Sequence, residues 1–200
     1  DIDLTTIERP YLFSFVGGFM NHYLTDIRKK IFNLGNILQN KEDVVIINTG
    51  WWHFENDVYG GKQNTNGELY ESEKKKKKTS RYNEYLIKSK FTLCPSGSGP
   101  NSIRLWESLA SGSIPVVLAD TLDLPKHKLM EKSIIRVKER EVNTLYDKLS
   151  KISEEEIKER RDNCLKLYKH FKNNFINKKH KKKRNLIMVP YRNRTKHLDY

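Results

Sequence analysis

The chain has 200 residues, with 38 Lys and Arg against 25 Asp and Glu, a formal net charge of +13 and a hydrophobic share of 36%. That length suffices for one domain with a buried core, and its two cysteines exclude a disulfide-stapled scaffold. No uninterrupted apolar stretch reaches membrane-spanning length, and the positive excess draws polyanions, membranes and phosphorylated ligands alike without choosing among them.

Apolar blocks alternate with helical patterns. Tyr11 to Val16 reads as a short buried strand ended by Gly17 and Gly18. Leu24 to Leu38 follows with Leu24, Ile27, Ile31, Leu34 and Leu38 at helical spacing. Val44 to Thr49 is a second strand, closed by Gly50. Residues Trp51 to Ser80 show no clean period and include Gly60, Gly61, Gly67 and the run Lys74 to Lys78, which together read as a long basic surface loop. Tyr82 to Lys88 is expected to be a short helix.

The order then repeats: a strand at Phe91 to Cys94, a turn-rich loop at Ser96 to Pro100, a helix at Ile103 to Ala110 and a strand at Ile114 to Ala119. A further strand is expected at Ile134 to Val137, with helices at Glu141 to Leu149 and Glu154 to Phe175. Ser153 before three glutamates is a capping signal for the last of these. Cys94 and Cys164 read as reduced packing thiols. Strands alternating with helices predict an α/β fold, a Rossmann-like parallel sheet covered on both faces. The expected domain runs over 9–176 with a basic loop at about 60–80, and 177–200 forms a basic tail. The chain opens on Asp1 rather than methionine, so a piece of a longer protein is expected.

Phe91 to Pro125, FTLCPSGSGPNSIRLWESLASGSIPVVLADTLDLP, carries the chemistry. Ligands of open parallel sheets bind beyond the carboxyl ends of the strands. The free amides and dipole of a helix N-terminus favour phosphate there. Gly97 and Gly99 let backbone approach a ligand, and Ser98 and Ser102 can donate hydroxyl hydrogen bonds. A competing reading is a tight turn that only caps a helix. Arg104 tilts the balance, because a cation in the first helical turn opposes the dipole unless an anion binds beside it. Its alternative is a contact with Glu107 or Ser108 along the helix. Glu107 can accept hydrogen bonds from both ribose hydroxyls, or be a solvated helix-face glutamate. Trp106 reads as core. Asp120, at the end of the Ile114 to Ala119 strand, is the one candidate catalytic carboxylate, with a turn-forming aspartate as its alternative.

The same block resembles the hallmark of the exostosin glycosyltransferases: a strand ending in Cys-Pro, a Gly/Ser loop, an Arg and an acidic residue on the next helix, then Gly-x-Ile-Pro-Val and an Asp-x-x-x-x-Pro turn. YLFSFVGG, Tyr11 to Gly18, with Arg28 downstream, is similar to that family's earlier strand, loop and basic helix. The resemblance implies the carboxyl-terminal, donor-binding half of a two-domain, GT-B type transferase. Carried over by position, Ser98, Gly99, Ser102 and Arg104 hold the diphosphate, Glu107 the ribose, and Gly17, Gly18 and Arg28 close over the phosphates. It implies no cofactor beyond a nucleoside diphosphate sugar as substrate, most simply a uridine diphosphate sugar. It further implies inversion at the anomeric centre, no metal, a glycan or glycoconjugate acceptor, and a general base on an amino-terminal acceptor domain or a partner chain.

The string Asp1-Ile-Asp3 has no strand before it and reads as chance. The six histidines show no metal-ligand spacing. Trp51, Trp52 and His53 could meet a sugar or base, or anchor the long loop. Asn193-Arg194-Thr195 forms a glycosylation sequon. Two rival functions stay open at this point: a non-catalytic sugar-nucleotide-binding partner subunit and a basic nucleic-acid-binding protein. The latter has the charge but none of the motifs, so no specific nucleic acid is expected.

Overall fold

The computed structural model describes residues 3–50 and 73–180, with side chains over 3–50 and 79–174. Five strands form one sheet: β1 (Tyr11–Gly17), β2 (Val44–Asn48), β3 (Ser89–Pro95), β4 (Ile114–Leu118) and β5 (Ile135–Arg136). Their order is β2-β1-β3-β4-β5, and every pairing is parallel. Parallel strands covered on both faces are buried along their length and read as near-continuous apolar runs. Accordingly all of β4 is buried, as are Phe13 and Phe15 of β1 and Phe91 and Leu93 of β3. Each of these side chains contributes about 1.5–3 kcal/mol by leaving water.

The helices are α1 (Ile27–Ile37), α2 (Glu73–Lys88), α3 (Ile103–Ser111), α4 (Met130–Ser133), α5 (Leu145–Leu149) and α6 (Glu154–His180), with a 3-10 segment at Glu139–Thr144. From β1 the chain steps through α1 to β2 at one edge; from β3 it steps through α3 toward β5. Right-handed crossovers in opposite directions place α1 and α3 on opposite faces. The α/β Rossmann-like arrangement expected from the alternation is therefore present. α6 lies along α3 and α4, and the 3-10 segment lies against α1. Ser153 caps α6, its Oγ accepting the Glu156 N–H at 3.2 Å. Gly112 ends α3 at φ +69°, a left-handed conformation that suits glycine. Both cysteines are buried and free. No helix among the described residues is long and apolar enough to cross a membrane.

Three expectations are corrected. Lys74–Lys78 is not loop: α2 begins at Glu73 and runs through the lysines. Lysine is a good helix former, and Tyr82, Tyr85 and Leu86 give the helix one packed side at 3.6-residue spacing. The first helix starts at Ile27 rather than Leu24, because the Leu24 N–H donates to the Gly97 carbonyl at 2.8 Å and its side chain is exposed. The helix expected from Glu141 instead opens as the 3-10 segment and becomes α-helical only at Leu145. Trp51–His53, the glycines of the long loop and Asn193 lie outside the described residues.

Arg9 holds the amino-terminal edge of the sheet. Its guanidinium is buried and donates to the carbonyls of Ser89 at 2.9 Å and Ser111 at 2.6 Å, with longer contacts to Leu86 and Leu4. Leu86 and Ser111 lie in the last turns of α2 and α3, whose carbonyl dipoles supply the negative partner. Burial, and then the charge of Arg161, draws Arg9 down to about 10.

Candidate functional site

Connections leave β1 and β3 in opposite directions, so the crevice between their carboxyl ends is a topological switch point, the place where open parallel sheets take ligands. Its walls are Gly17 and Gly18 at the end of β1, the loop Ser96–Pro100 after β3, and the first turns of α1 and α3. Two arginines, one from each helix and so one from each face, meet there.

Arg28, in the first turn of α1, donates from Nε to the Ser96 carbonyl at 2.8 Å and from Nη1 to the Gly18 carbonyl at 3.1 Å. Its guanidinium carbon lies 4.7 Å from the centre of the Tyr23 ring. A Cβ on Gly97 would stand 2.9 Å from Arg28 Nη2, so a side chain there would occupy the guanidinium's place. Gly97 is thus needed for close approach and not for its backbone angle; only Gly50 and Gly112 have positive φ among the described glycines.

Arg104, in the first turn of α3, is 9% exposed. It turns away from its own helix and donates from Nη2 to the Val16 carbonyl of β1. Its guanidinium carbon sits 4.7 Å from the centre of the Phe15 ring, and its Nε has no hydrogen-bond partner among the described residues. A Cβ on Gly17 would lie 3.0 Å from Arg104 Nη2 and 3.6 Å from Arg28 Nη1, which places the two guanidinium groups side by side over one glycine.

No carboxylate pairs with either arginine among the described residues. Arg104 and Glu107 in particular form no ion pair, although three residues apart on one helix. Burial, and then the charge of Arg104, draws Arg28 down to about 10 from its ordinary 12.5. Two like charges held together in a half-dry crevice are unfavourable until an anion joins them.

The other candidates distribute around this pair. Gly97 N–H donates to the Gly99 carbonyl at 2.9 Å, which tightens the loop, and Ser98 at its tip is exposed. Ser102 is the residue before α3; its side chain makes no capping bond, so the first amides of α3 are not capped by it. Glu107 lies one turn beyond Arg104 and accepts the Tyr82 O–H on Oε2 at 2.5 Å. Asp120 is exposed beyond β4, one strand along from the crevice, and its Oδ1 accepts the Glu139 N–H at 3.2 Å. Trp106 packs edge-on against Phe171 at 5.5 Å beside the core.

Sequence reasoning missed two parts of the site. Tyr82 reaches Glu107 from another helix, a contact with no signature in local spacing. Ser96, Thr25 and Glu139 form a chain: Thr25 Oγ1 lies 3.0 Å from Ser96 Oγ, which donates to Glu139 Oε1 at 3.2 Å. This chain fastens Ser96, whose carbonyl orients Arg28. Among the described residues no group of His, Cys, Asp and Glu could hold a metal ion.

Comparison with known proteins bears on the whole of this region. The Exostosin GT47 domain matches residues 2–152. An exostosin-1 homolog of Caenorhabditis elegans is 29% identical over 168 residues, 80% of this chain and 40% of that protein. A probable glucuronosyltransferase of Oryza sativa subsp. japonica is 45% identical over 51 residues, 26% of this chain and 12% of its own. A probable glucuronoxylan glucuronosyltransferase of Arabidopsis thaliana is 39% identical over 74 residues, 36% of this chain and 16% of its own. The chain therefore spans less than half the length of each of these relatives. With the Exostosin GT47 domain covering residues 2–152 and the arginine-lined switch point inside it, the chain belongs to the exostosin GT47 family.

Proposed function

We propose that this chain is the donor-binding part of a glycosyltransferase that moves a sugar from a nucleoside diphosphate sugar to a glycan or glycoconjugate. One observation carries the reading: Arg28 and Arg104 converge at the switch point with no carboxylate to neutralise them among the described residues. A diphosphate seated there gains two charge-assisted partners and the amides opening α3. In this reading Ser98, Gly99 and Ser102 line the phosphates beside the arginines, and Glu107 takes the ribose hydroxyls. The protein's own cations balance the leaving diphosphate, so the transfer proceeds without a metal. In the same reading the anomeric centre is inverted, as the exostosin resemblance implies, with the general base contributed by an acceptor-binding domain or partner chain facing the crevice.

A thermal-shift series tests this. Uridine diphosphate should stabilise the protein more than free sugars do, by about 2.7 kcal/mol when present at a hundredfold excess over its dissociation constant. Because two of the relatives named above carry glucuronosyltransferase names, UDP-glucuronic acid belongs in the series. No shift with any nucleoside diphosphate at several times ~1 mM, where even weak sites with about −4 kcal/mol of binding energy fill, would contradict the reading.

A further inference from the structure

We infer that Tyr82 is a positioning residue of the donor site, one that holds Glu107 away from Arg104 and aims its carboxylate at the ribose. The inference rests on the assignment of Glu107 to the ribose proposed above.

Arg104 and Glu107 stand three residues apart on α3, a spacing at which opposite charges ordinarily meet. Such a pair would cancel the site twice over, neutralising the cation meant for the diphosphate and occupying the carboxylate meant for the diol. The pair does not form. Arg104 reaches across to the Val16 carbonyl, and Glu107 is taken by the Tyr82 O–H at 2.5 Å. Tyr82 comes from α2, which packs on α3. Its ring centre lies 6.0 Å from the Arg104 guanidinium carbon, so one side chain borders both groups.

The chemistry leaves Glu107 able to work. A carboxylate oxygen has two lone pairs, and the phenol uses one of those on Oε2. One acceptor position remains on Oε2 and both on Oε1, enough to receive two vicinal hydroxyls. The tether also fixes the orientation of a side chain with three rotatable bonds, an ordering that the ligand would otherwise have to impose. Burial pushes the Tyr82 phenol well above the usual tyrosine range; the Arg104 charge opposes this and the Glu107 charge adds to it, and the hydroxyl stays protonated and remains the donor.

Tyr82→Phe removes the hydroxyl and keeps the ring. Titration calorimetry of the intact wild type and variant against uridine diphosphate, 2′-deoxyuridine diphosphate and pyrophosphate reads both halves of the inference. The wild type should prefer the ribonucleotide over the deoxynucleotide by about tenfold, the worth of one hydrogen bond to a charged acceptor. Tyr82→Phe should lose most of that preference and should also bind pyrophosphate several-fold more weakly, because Glu107 is released onto Arg104. Tyr82→Leu carries the same expectation should the phenylalanine variant not fold. A wild type that discriminates, with a Tyr82→Phe variant that discriminates equally and binds pyrophosphate unchanged, overturns the role of Tyr82 alone. A wild type indifferent to the 2′-hydroxyl, with Glu107→Gln equally indifferent, overturns the ribose assignment and this role with it.

Discussion

Gly97→Ala is a steric probe of the site that removes no charge. The backbone at Gly97 is not in the left-handed region, so alanine is tolerated there conformationally. The added Cβ would stand 2.9 Å from Arg28 Nη2, 3.5 Å from its guanidinium carbon and 3.9 Å from its Nε, with no backbone atom among these neighbours. The flexible end of Arg28 must therefore move, and it gives up its bonds to the Ser96 and Gly18 carbonyls. In the free protein the cost is small. The guanidinium returns to water, the carbonyls face a crevice, and the repulsion from Arg104 is relieved, so stability should change by less than about 1 kcal/mol. In the complex the loss is a charge-assisted contact worth about 1.5–3 kcal/mol, which is about 10- to 150-fold in affinity for uridine diphosphate. Calorimetry on Gly97→Ala, Arg28→Met and the double variant measures it. The two single changes should weaken binding alike, and the double variant no further, since both remove one contact. Wild-type affinity in Gly97→Ala would refute the placement of Arg28 in the site. A large drop in melting temperature would show that the loop, not the side chain, absorbs the clash.

Gly112→Ala forces a Cβ into the left-handed end of α3, 3.1 Å from Arg161 Cγ and 3.3 Å from Arg9 Nη2, and chemical denaturation should show a loss of at least about 1 kcal/mol. Arg9→Met leaves the Ser89 and Ser111 carbonyls without their donor and should cost about 2 kcal/mol of stability, while the affinity of the folded protein for nucleotide stays unchanged. His127 is held below its ordinary 6.5 by burial and then by the charges of His170 and Lys128. Its protonation thus favours the unfolded chain: the stability this group contributes is lost as pH falls below about 6.5, and that contribution is gone once the folded group is charged. His127→Gln should flatten that part of the pH profile of the melting temperature.

The fold was legible wherever one stretch of chain decides its own structure. Ile114 to Leu118 is a continuous apolar run, and Phe13 to Val16 and Phe91 to Cys94 are apolar but for the buried Ser14 and Thr92, because parallel strands are buried on both faces. Ser153 announced the start of its helix through capping chemistry. The helical lysines were hidden because Lys74–Lys78 has no apolar period, and helix propensity alone is a weak signal. Within the site, Arg104 and the Gly/Ser loop could be named because they sit in a first helical turn and at a strand end, whereas Arg28 was named only through the family resemblance. The convergence of the two guanidinium groups over Gly17 could not, since it depends on α1 and α3 meeting from opposite faces. Tyr82, Glu139 and Arg9 act across 25, 43 and up to 102 residues of chain, respectively, distances at which no spacing rule operates.

A crystal structure of the protein with uridine diphosphate bound is the most direct test of the central claim. The account predicts phosphate oxygens within hydrogen-bond distance of both Arg28 and Arg104, at the amino end of α3, with the ribose hydroxyls on Glu107. A diphosphate bound elsewhere, or seated in the crevice but touching neither guanidinium, would contradict it.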